Sequence, residues 1–413
     1  MSKFQLILTG VFGAFIVLGV ILFAGSQSNG KATENVVIWG TLPAHQDHSI
    51  NLSYVEKSPQ KFDQDLIEAL AVGKGPDIIL LDNDSILKHA NKIYPIPFQS
   101  YSERIFKDTF IQEGELFLSP SGIYGLPFSV DPLVMYWNRD IFSNASLPSA
   151  PAKWEEFQNV VAKLTKKNNS VILQSAVALG EFSNIDHAKE ILTTLIQQAG
   201  NPLTAWQNGK VVSTLGEEFN TPIPPTQAAL DFYTEFSNPI RPFYSWNRSL
   251  PSSKSFFLSG DLAMYFGFAS ELAEISQKNP NLNFDVAYVP QSNTAPVKTT
   301  YGHMQAFAIM RTTHVFDGAI KTAEALTAKD AIALWTKYSG LPPVRRDLLS
   351  QKPGDAYKDV FYESALRSRA WIDPNHDSST MILKNMVESV TSGKSRSSEA
   401  VTRAANELGA LFK

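Results

Sequence analysis

The stretch "GIYGLPFSVDPLVMYWNRDIF", Gly122 to Phe142, decides how the chain is read. Its centre is an apolar, β-favouring tract, Leu133 to Trp137, of the kind that forms a buried strand. Directly before that tract stand one acid, Asp131, and Pro132. A carboxylate costs free energy wherever it is taken out of water without a partner. Asp131 therefore calls for a partner or for water, as a strand cap or one half of a salt bridge would have.

Upstream, "NVVIWGTLP" (from Asn35) reads as a short buried strand that ends in a loop at Pro43. "SPQKFDQDLIEALAVGKGPDIILL" (from Ser58) reads as helix, turn and strand. Ser58 is the expected N-cap and Pro59 the first helical residue. Phe62, Leu66 and Leu70 recur on one helical face, and Ile78 to Leu81 is continuous and apolar, as in a parallel strand covered on both sides. Strand, helix and strand in this order form a βαβ signature. Downstream, "APAKWEEFQNVVAKLTKKN" and "PTQAALDFYTEFSN" read as amphipathic helices, and "DLAMYFGF", "FDVAYVP" and "MQAFAIM" as strands. "HVFDGAIKTAEALTAKDAIALWTKYSG" reads as helical up to Gly340, and "SSEAVTRAANELGALF" as a last helix capped by Ser397 or Ser398. The pattern is α/β throughout, with no internal repeat and no long Gly/Ser linker. Two domains then require the chain to cross between them more than once.

The 413 residues suffice for two domains, and 44% hydrophobic with 18% charged is a globular balance. A net charge of −4 without a basic block points away from nucleic acid. With no cysteine, disulfides, thiolate metal sites, cysteine nucleophiles and a lipidated cysteine are all excluded. At the N-terminus no charge lies between Lys3 and Lys31, and Phe4 to Ala24 is about the ~20 residues a membrane-spanning helix needs. Lys3 precedes it, so the N-terminus is expected inside and the body outside the cytoplasmic membrane. Residues 1–25 are read as an uncleaved anchor, with a cleaved signal peptide as the competing reading, and residues 26–35 as a polar tether.

Familiar catalytic signatures are missing. There is no G-x-S-x-G, H-E-x-x-H or P-loop. "HQDH", His45 to His48, has the residue types for zinc but reads as a solvated loop. "DND", Asp82 to Asp84, lacks the glycine and distal glutamate of a calcium loop. It does follow a parallel strand, where open α/β sheets place ligand contacts. No catalytic residue, metal or cofactor is assigned.

The motifs in sequence order resemble the bacterial extracellular solute-binding proteins of ABC importers, the sugar-binding class related to maltose-binding protein. The segments that carry the resemblance are "VVIWG", "LIEALAVGKGPDIILLDND", "GIYGLPFSVDPLVMYWNRDIF", "PAKWEEFQNVVAKLT", "FFLSGDLAMYFGF", "SGLPPVRRDLL" and "SRAWIDP". The resemblance covers roughly residues 36–413. Departures include Ala152-Lys153 in the usual threonine slot, Asp261 for a lysine, and Leu81 where maltose-binding relatives have tryptophan; "TMILKNMVESV" also lacks their stacking tryptophan.

The resemblance implies a two-lobed periplasmic-binding-protein-like fold (type II), with lobes joined by a hinge of crossing strands and closing over solute. Residues 36–130 and 291–338 would form the N-terminal lobe, and 131–290 and 339–413 the C-terminal lobe. It implies a monomeric, membrane-tethered, extracytoplasmic receptor that delivers a sugar or oligosaccharide to ABC permease subunits. By position, Trp39, Thr41, Asp84, Asp131, Phe268, Tyr301, His303 and Trp371 are the expected ligand-binding residues, Gly40 and Phe266 lying beside them. Sugars offer C–H faces to aromatic rings and hydroxyls to acids and amides. Trp154 and Trp335 lie on helix faces and read as core. Two other readings remain open. One is an extracytoplasmic carbohydrate-active enzyme with Asp84 and Asp131 as an acid pair, for which carboxylates about 5–10 Å apart are compatible. The other is a ligand-sensing subunit of a signalling kinase.

Overall fold

The structure is a computed structural model that describes residues 35–42, 52–169, 171–293, 295 and 297–412. The expected anchor and "HQDH" lie outside these residues. The chain divides into two compact units, one of residues up to 130 with 303–352, the other of residues 131–302 with 353–413. Both units are mixed α/β. Among the described residues, no helix is long and apolar enough to cross a membrane.

In chain order, unit 1 begins with β1 (Val36–Gly40), β2 (Leu52–Glu56) and β3 (Ile78–Asp82). The short pair β4 (Leu118–Ser119) and β5 (Gly122–Ile123) leads into the long β6 (Leu126–Asn138), which carries the chain into unit 2. Unit 2 adds β7 (Lys166–Asn168), β8 (Val171–Val177), the hairpin β9 (Thr204–Gln207) and β10 (Lys210–Ser213), β11 (Leu262–Phe268) and β12 (Phe284–Ala287). β13 (Gly302–Ile309) brings the chain back.

In unit 1, β1 lies between β2 and β3, parallel to both, and β13 runs antiparallel to β3 from Gln305–Asp82 to Ile309–Ile78. Ile78 to Leu81 are all buried, the two-sided coverage their unbroken apolar run implies. The strand β2 has no counterpart in the sequence reading. The helix after it starts at Phe62, not at Pro59, and Ser58 does not cap it. Ser58 instead turns the chain through its carbonyl, which accepts the Lys61 N–H, and its hydroxyl bonds Gln60. Trp335 packs its ring 5.0 Å from Phe128, which also meets Phe307. The helical segment after β13 is two helices, Phe316–Leu326 and Lys329–Ser339, with Gly340 closing the second at φ +75°, and the short helix Arg346–Leu349 follows.

In unit 2, β11 is antiparallel to β6 and parallel to β8, β7 pairs with β8, and β12 pairs with β6 on its other edge. Every residue of β11 is buried. Trp154 starts the helix Trp154–Leu164 and sits among Phe157, Phe232 and Phe266 as core, its indole N–H donating to Gln198 at 2.6 Å.

The return crossings fall at Gly302–His303 and Lys352–Pro353, later than the expected positions after residues 290 and 338. Hydrogen bonding explains both displacements. Gln291 still bonds Ala152 and Thr299, and Thr300 bonds Leu133, all within unit 2. Val344 accepts from Ile111, and Arg346 donates to the Phe110 carbonyl at 2.7 Å, within unit 1.

The late segment is fastened to unit 2 by a buried charge pair. Lys189, on the helix Ala188–Gln198, donates to Asp373 at 2.7 Å and to Ser379 at 2.9 Å, with both charged side chains almost wholly covered. Removing one partner of such a pair strands the other charge. Asp373→Ala should therefore lower unfolding stability by about 3–5 kcal/mol in urea denaturation; a loss below about 1 kcal/mol would show that Lys189 finds water or another acceptor.

Candidate functional site

Two groups of polar and aromatic side chains gather at strand ends, one in each unit. In unit 1 they stand where β1 and β3 end and β13 begins. Trp39 is buried at the end of β1 with the Lys57 ammonium 3.8 Å over its ring. Thr41 follows it, half-buried. Gln305 links the ends: its Nε2 donates to Asp82 at 2.8 Å and to the Thr41 hydroxyl at 3.4 Å, while Ser129 donates to its Oε1 at 3.3 Å. His303 is about one-third exposed, with Nδ1 4.0 Å from the Asp82 carboxylate. Asn83 is buried and accepts the Met304 N–H at 2.9 Å. Asp84 is the middle residue of the turn Asn83–Ser85 that follows and accepts from the Ser85 hydroxyl at 3.3 Å. The C-terminal ends of adjacent parallel strands are where such sheets bind ligands.

In unit 2 the group surrounds the first residues after the β6 crossing. Asp131 interrupts the buried face of β6 with a half-buried carboxylate. Its Oδ1 accepts the Ser270 N–H at 3.0 Å. Pro132, lacking an N–H, gives up no ladder bond there, and the Leu133 N–H returns to the Tyr301 carbonyl at 2.8 Å. Phe268 ends β11 and meets Tyr301 edge-on, ring centres 6.4 Å apart. Phe268 and Tyr301 are both largely buried. Trp371 belongs to neither group: it is 1% exposed, inside unit 2, with Lys189 5.9 Å from its ring centre. Phe266 is likewise internal.

Several members escape a reading of motifs. Gln305 was legible in principle, because His303 and Gln305 alternate with buried Met304 and Ala306 at the two-residue period of a strand. Glu271 has no such signal, because Phe268 cannot act as the capping side chain of a capping box. It stands three residues after Phe268, and its carboxylate reaches back to the Phe268 N–H at 2.8 Å. Ser129 carries no signal beyond its place on β6. Among the described residues, no group of three or more His, Asp or Glu side chains is placed to hold a metal ion.

Glu271 is held by charge. Burial pushes its carboxyl up, but the bonded His187, the Phe268 N–H and Lys254 outweigh that and hold it down at about 2. A depressed carboxyl contributes stability that is complete above its unfolded value of about 4.3 and is lost as pH falls towards the folded value. The melting temperature should therefore drop as pH is lowered from about 4.3 to about 2, and Glu271→Gln should shrink that drop while lowering stability at neutral pH. An unchanged acid profile in the variant would remove Glu271 from the account.

The family model described as bacterial extracellular solute-binding protein matches residues 43–361. The chain belongs to that family. A binding protein of Brucella abortus (strain 2308) is 23% identical over 359 residues, which is 85% of this chain and 83% of the relative. The sn-glycerol-3-phosphate-binding periplasmic protein of Shigella dysenteriae (serotype 1, strain Sd197) is 24% identical over 338 residues, 75% and 74% of the two chains. Among solved structures, a cyclo/maltodextrin-binding protein complexed with maltotetraose superposes with a TM-score of 0.73 at 16% identity, covering 92% of this chain and 98% of that one.

Proposed function

We propose that the chain is the extracytoplasmic receptor of an ABC importer, and that its solute is a neutral carbohydrate. Family membership supports the receptor role, and the likeness to a maltotetraose-bound protein supports a carbohydrate. The observation that carries the choice of solute is the charge of the two strand-end groups. Asp82 and Asp84 in unit 1 and Asp131 in unit 2 offer acceptors for hydroxyls. Beside them, the Lys57 ammonium lies over the Trp39 ring and the His303 Nδ1 stands 4.0 Å from the Asp82 carboxylate. An acidic set of this kind repels a phosphate, so sn-glycerol 3-phosphate is the disfavoured solute. The solute contacts in this reading are Trp39, Thr41, Asp84 and His303 with Gln305 added in unit 1, and Asp131, Phe268 and Tyr301 in unit 2. Trp371 is left out because it stands with neither group, its ring enclosed beside Lys189.

The enzyme reading is the less supported one, because the family to which the chain belongs is described as one of solute-binding proteins. Delivery to permease subunits, a monomeric state and retention by an uncleaved Phe4–Ala24 anchor complete the proposal. The anchor is tested by carbonate extraction of membranes, where a soluble product beginning near Gly25 favours the signal peptide.

Maltotetraose, mannotriose and sn-glycerol 3-phosphate are the discriminating probes. A binding glycan should stabilise the chain by about 2.7 kcal/mol at a hundredfold excess over Kd, raising Tm, while the phosphate leaves Tm unchanged. The opposite ranking would reverse the assignment. Asp131→Ala should weaken glycan binding roughly ten- to a hundredfold, and Asp131→Asn, which keeps an acceptor for Ser270, should recover part of the loss. Trp371→Ala should instead lower stability by about 3–5 kcal/mol; a fold that stays stable while Kd rises tenfold would return Trp371 to the site.

A further inference from the structure

Unit 2 contains a charged cluster that makes none of the proposed solute contacts itself. Glu271 is its centre. Its Oε1 accepts the His187 Nε2 at 2.7 Å and the Phe268 N–H at 2.8 Å. Its Oε2 accepts the Tyr265 hydroxyl at 2.8 Å and the Lys254 ammonium at 2.9 Å. Gly267 makes the arrangement fit, since a Cβ there would lie 2.5 Å from the Tyr265 ring and 3.0 Å from the Glu271 carboxylate.

What this carboxylate holds gives it a role beyond cohesion. The four residues Phe268 to Glu271 form one tight turn. At its first residue the Phe268 ring lies edge-on to the His187 imidazole, ring centres 4.8 Å apart. At its third residue the Ser270 N–H bonds Asp131. The turn therefore orients an aromatic platform and a carboxylate together, and it is anchored through Glu271. His187 is strained into place: its φ of +60° is left-handed for a residue with a side chain.

We propose that Glu271 and His187 are the positioning pair of the solute site, and that their contact, by fixing the Phe268–Glu271 turn, sets the aim of the Phe268 ring and of the Asp131 carboxylate and so the affinity for solute. The proposal rests on the reading of Asp131 and Phe268 as solute contacts.

His187 is the member whose charge changes near neutral pH. Burial opposes its protonation, but Glu271 first, then Glu190 and Asp186, more than offset this and raise its pKa. Of the remaining groups around it, Tyr265 stays a neutral donor, Lys254 competes for the same carboxylate, and Glu274 in turn bonds Lys254. Below the raised pKa the ion pair is complete. As pH rises through it, the imidazole loses its charge, the turn loosens and affinity falls. His187→Gln keeps an N–H for Glu271 and removes the titration.

Two measurements on the full chain decide the matter. The first is amide hydrogen exchange of Ser270, corrected for intrinsic rate, without solute. The second is Kd for maltotetraose and for mannotriose. Between about pH 6 and about pH 9, Ser270 protection should fall about three- to tenfold and Kd should rise by a similar factor. Both should be flat in His187→Gln, and Glu271→Gln should lower Ser270 protection and raise Kd at every pH. A pH-independent Ser270 in the wild type, or the same pH dependence in His187→Gln, overturns the proposal. A Ser270 that titrates as expected while neither glycan binds overturns the carbohydrate reading and leaves the positioning pair standing. A titrating Ser270 with a flat Kd overturns the link to affinity.

Discussion

One strand serves two cores. β6 runs thirteen residues, Leu126–Asn138, and the chain passes from unit 1 to unit 2 between Val130 and Asp131. Its first five residues are buried in one unit, and most of the rest in the other. A shift of one residue in pairing would turn every side chain of β6 to the wrong face, so a single register has to satisfy both. The register is fixed on the unit 2 side by β11 on one edge and β12 on the other. Asp131, the first residue of unit 2, is only half-buried, as is Trp137 further along the strand. The Asp131 carboxylate is tolerated because it finds a backbone donor and keeps some contact with water.

The polar groups gathered at the strand ends are fixed before any solute arrives. Gln305 ties Asp82 to Thr41, Asn83 anchors the start of β13, and Glu271 organises the turn that bears Phe268 and Ser270. Binding free energy is then not spent on ordering these side chains, which is the main cost a flexible site incurs. The same economy explains why so many of the proposed contacts are already bonded within the protein. A carboxylate or a hydroxyl has more lone pairs than one partner uses.

Much of this was legible in the sequence. The family was readable from seven short segments in order, and the strands β1, β3, β6, β11, β12 and β13 from their apolar runs. What escaped was set by contacts between residues far apart. Ser58 has the chemistry of an N-cap, yet it makes a turn because the helix cannot start until Phe62 reaches the core. Trp371 has the chemistry of a stacking platform, yet it is enclosed near Lys189, a partner nearly two hundred positions away that no local pattern announces. The return crossings followed the hydrogen bonds of Gln291 and Thr300, which are likewise long-range. Residue type says what a side chain can do, and only the tertiary fold says whether it is placed to do it.

The Lys189–Asp373 pair also bears on the order in which the chain acquires structure. The two residues are 184 positions apart, and unit 1 is threaded between them, taking residues 303–352 out of the middle. Until Asp373 arrives, the helix Ala188–Gln198 carries a cation that cannot be buried without a large penalty. Unit 2 therefore cannot seal its interior around that helix on the strength of its first segment alone. Closing so long a loop makes assembly slow relative to folds built from neighbours. A nascent chain with this topology remains open, and accessible to the factors that escort it, until nearly all of it has been made.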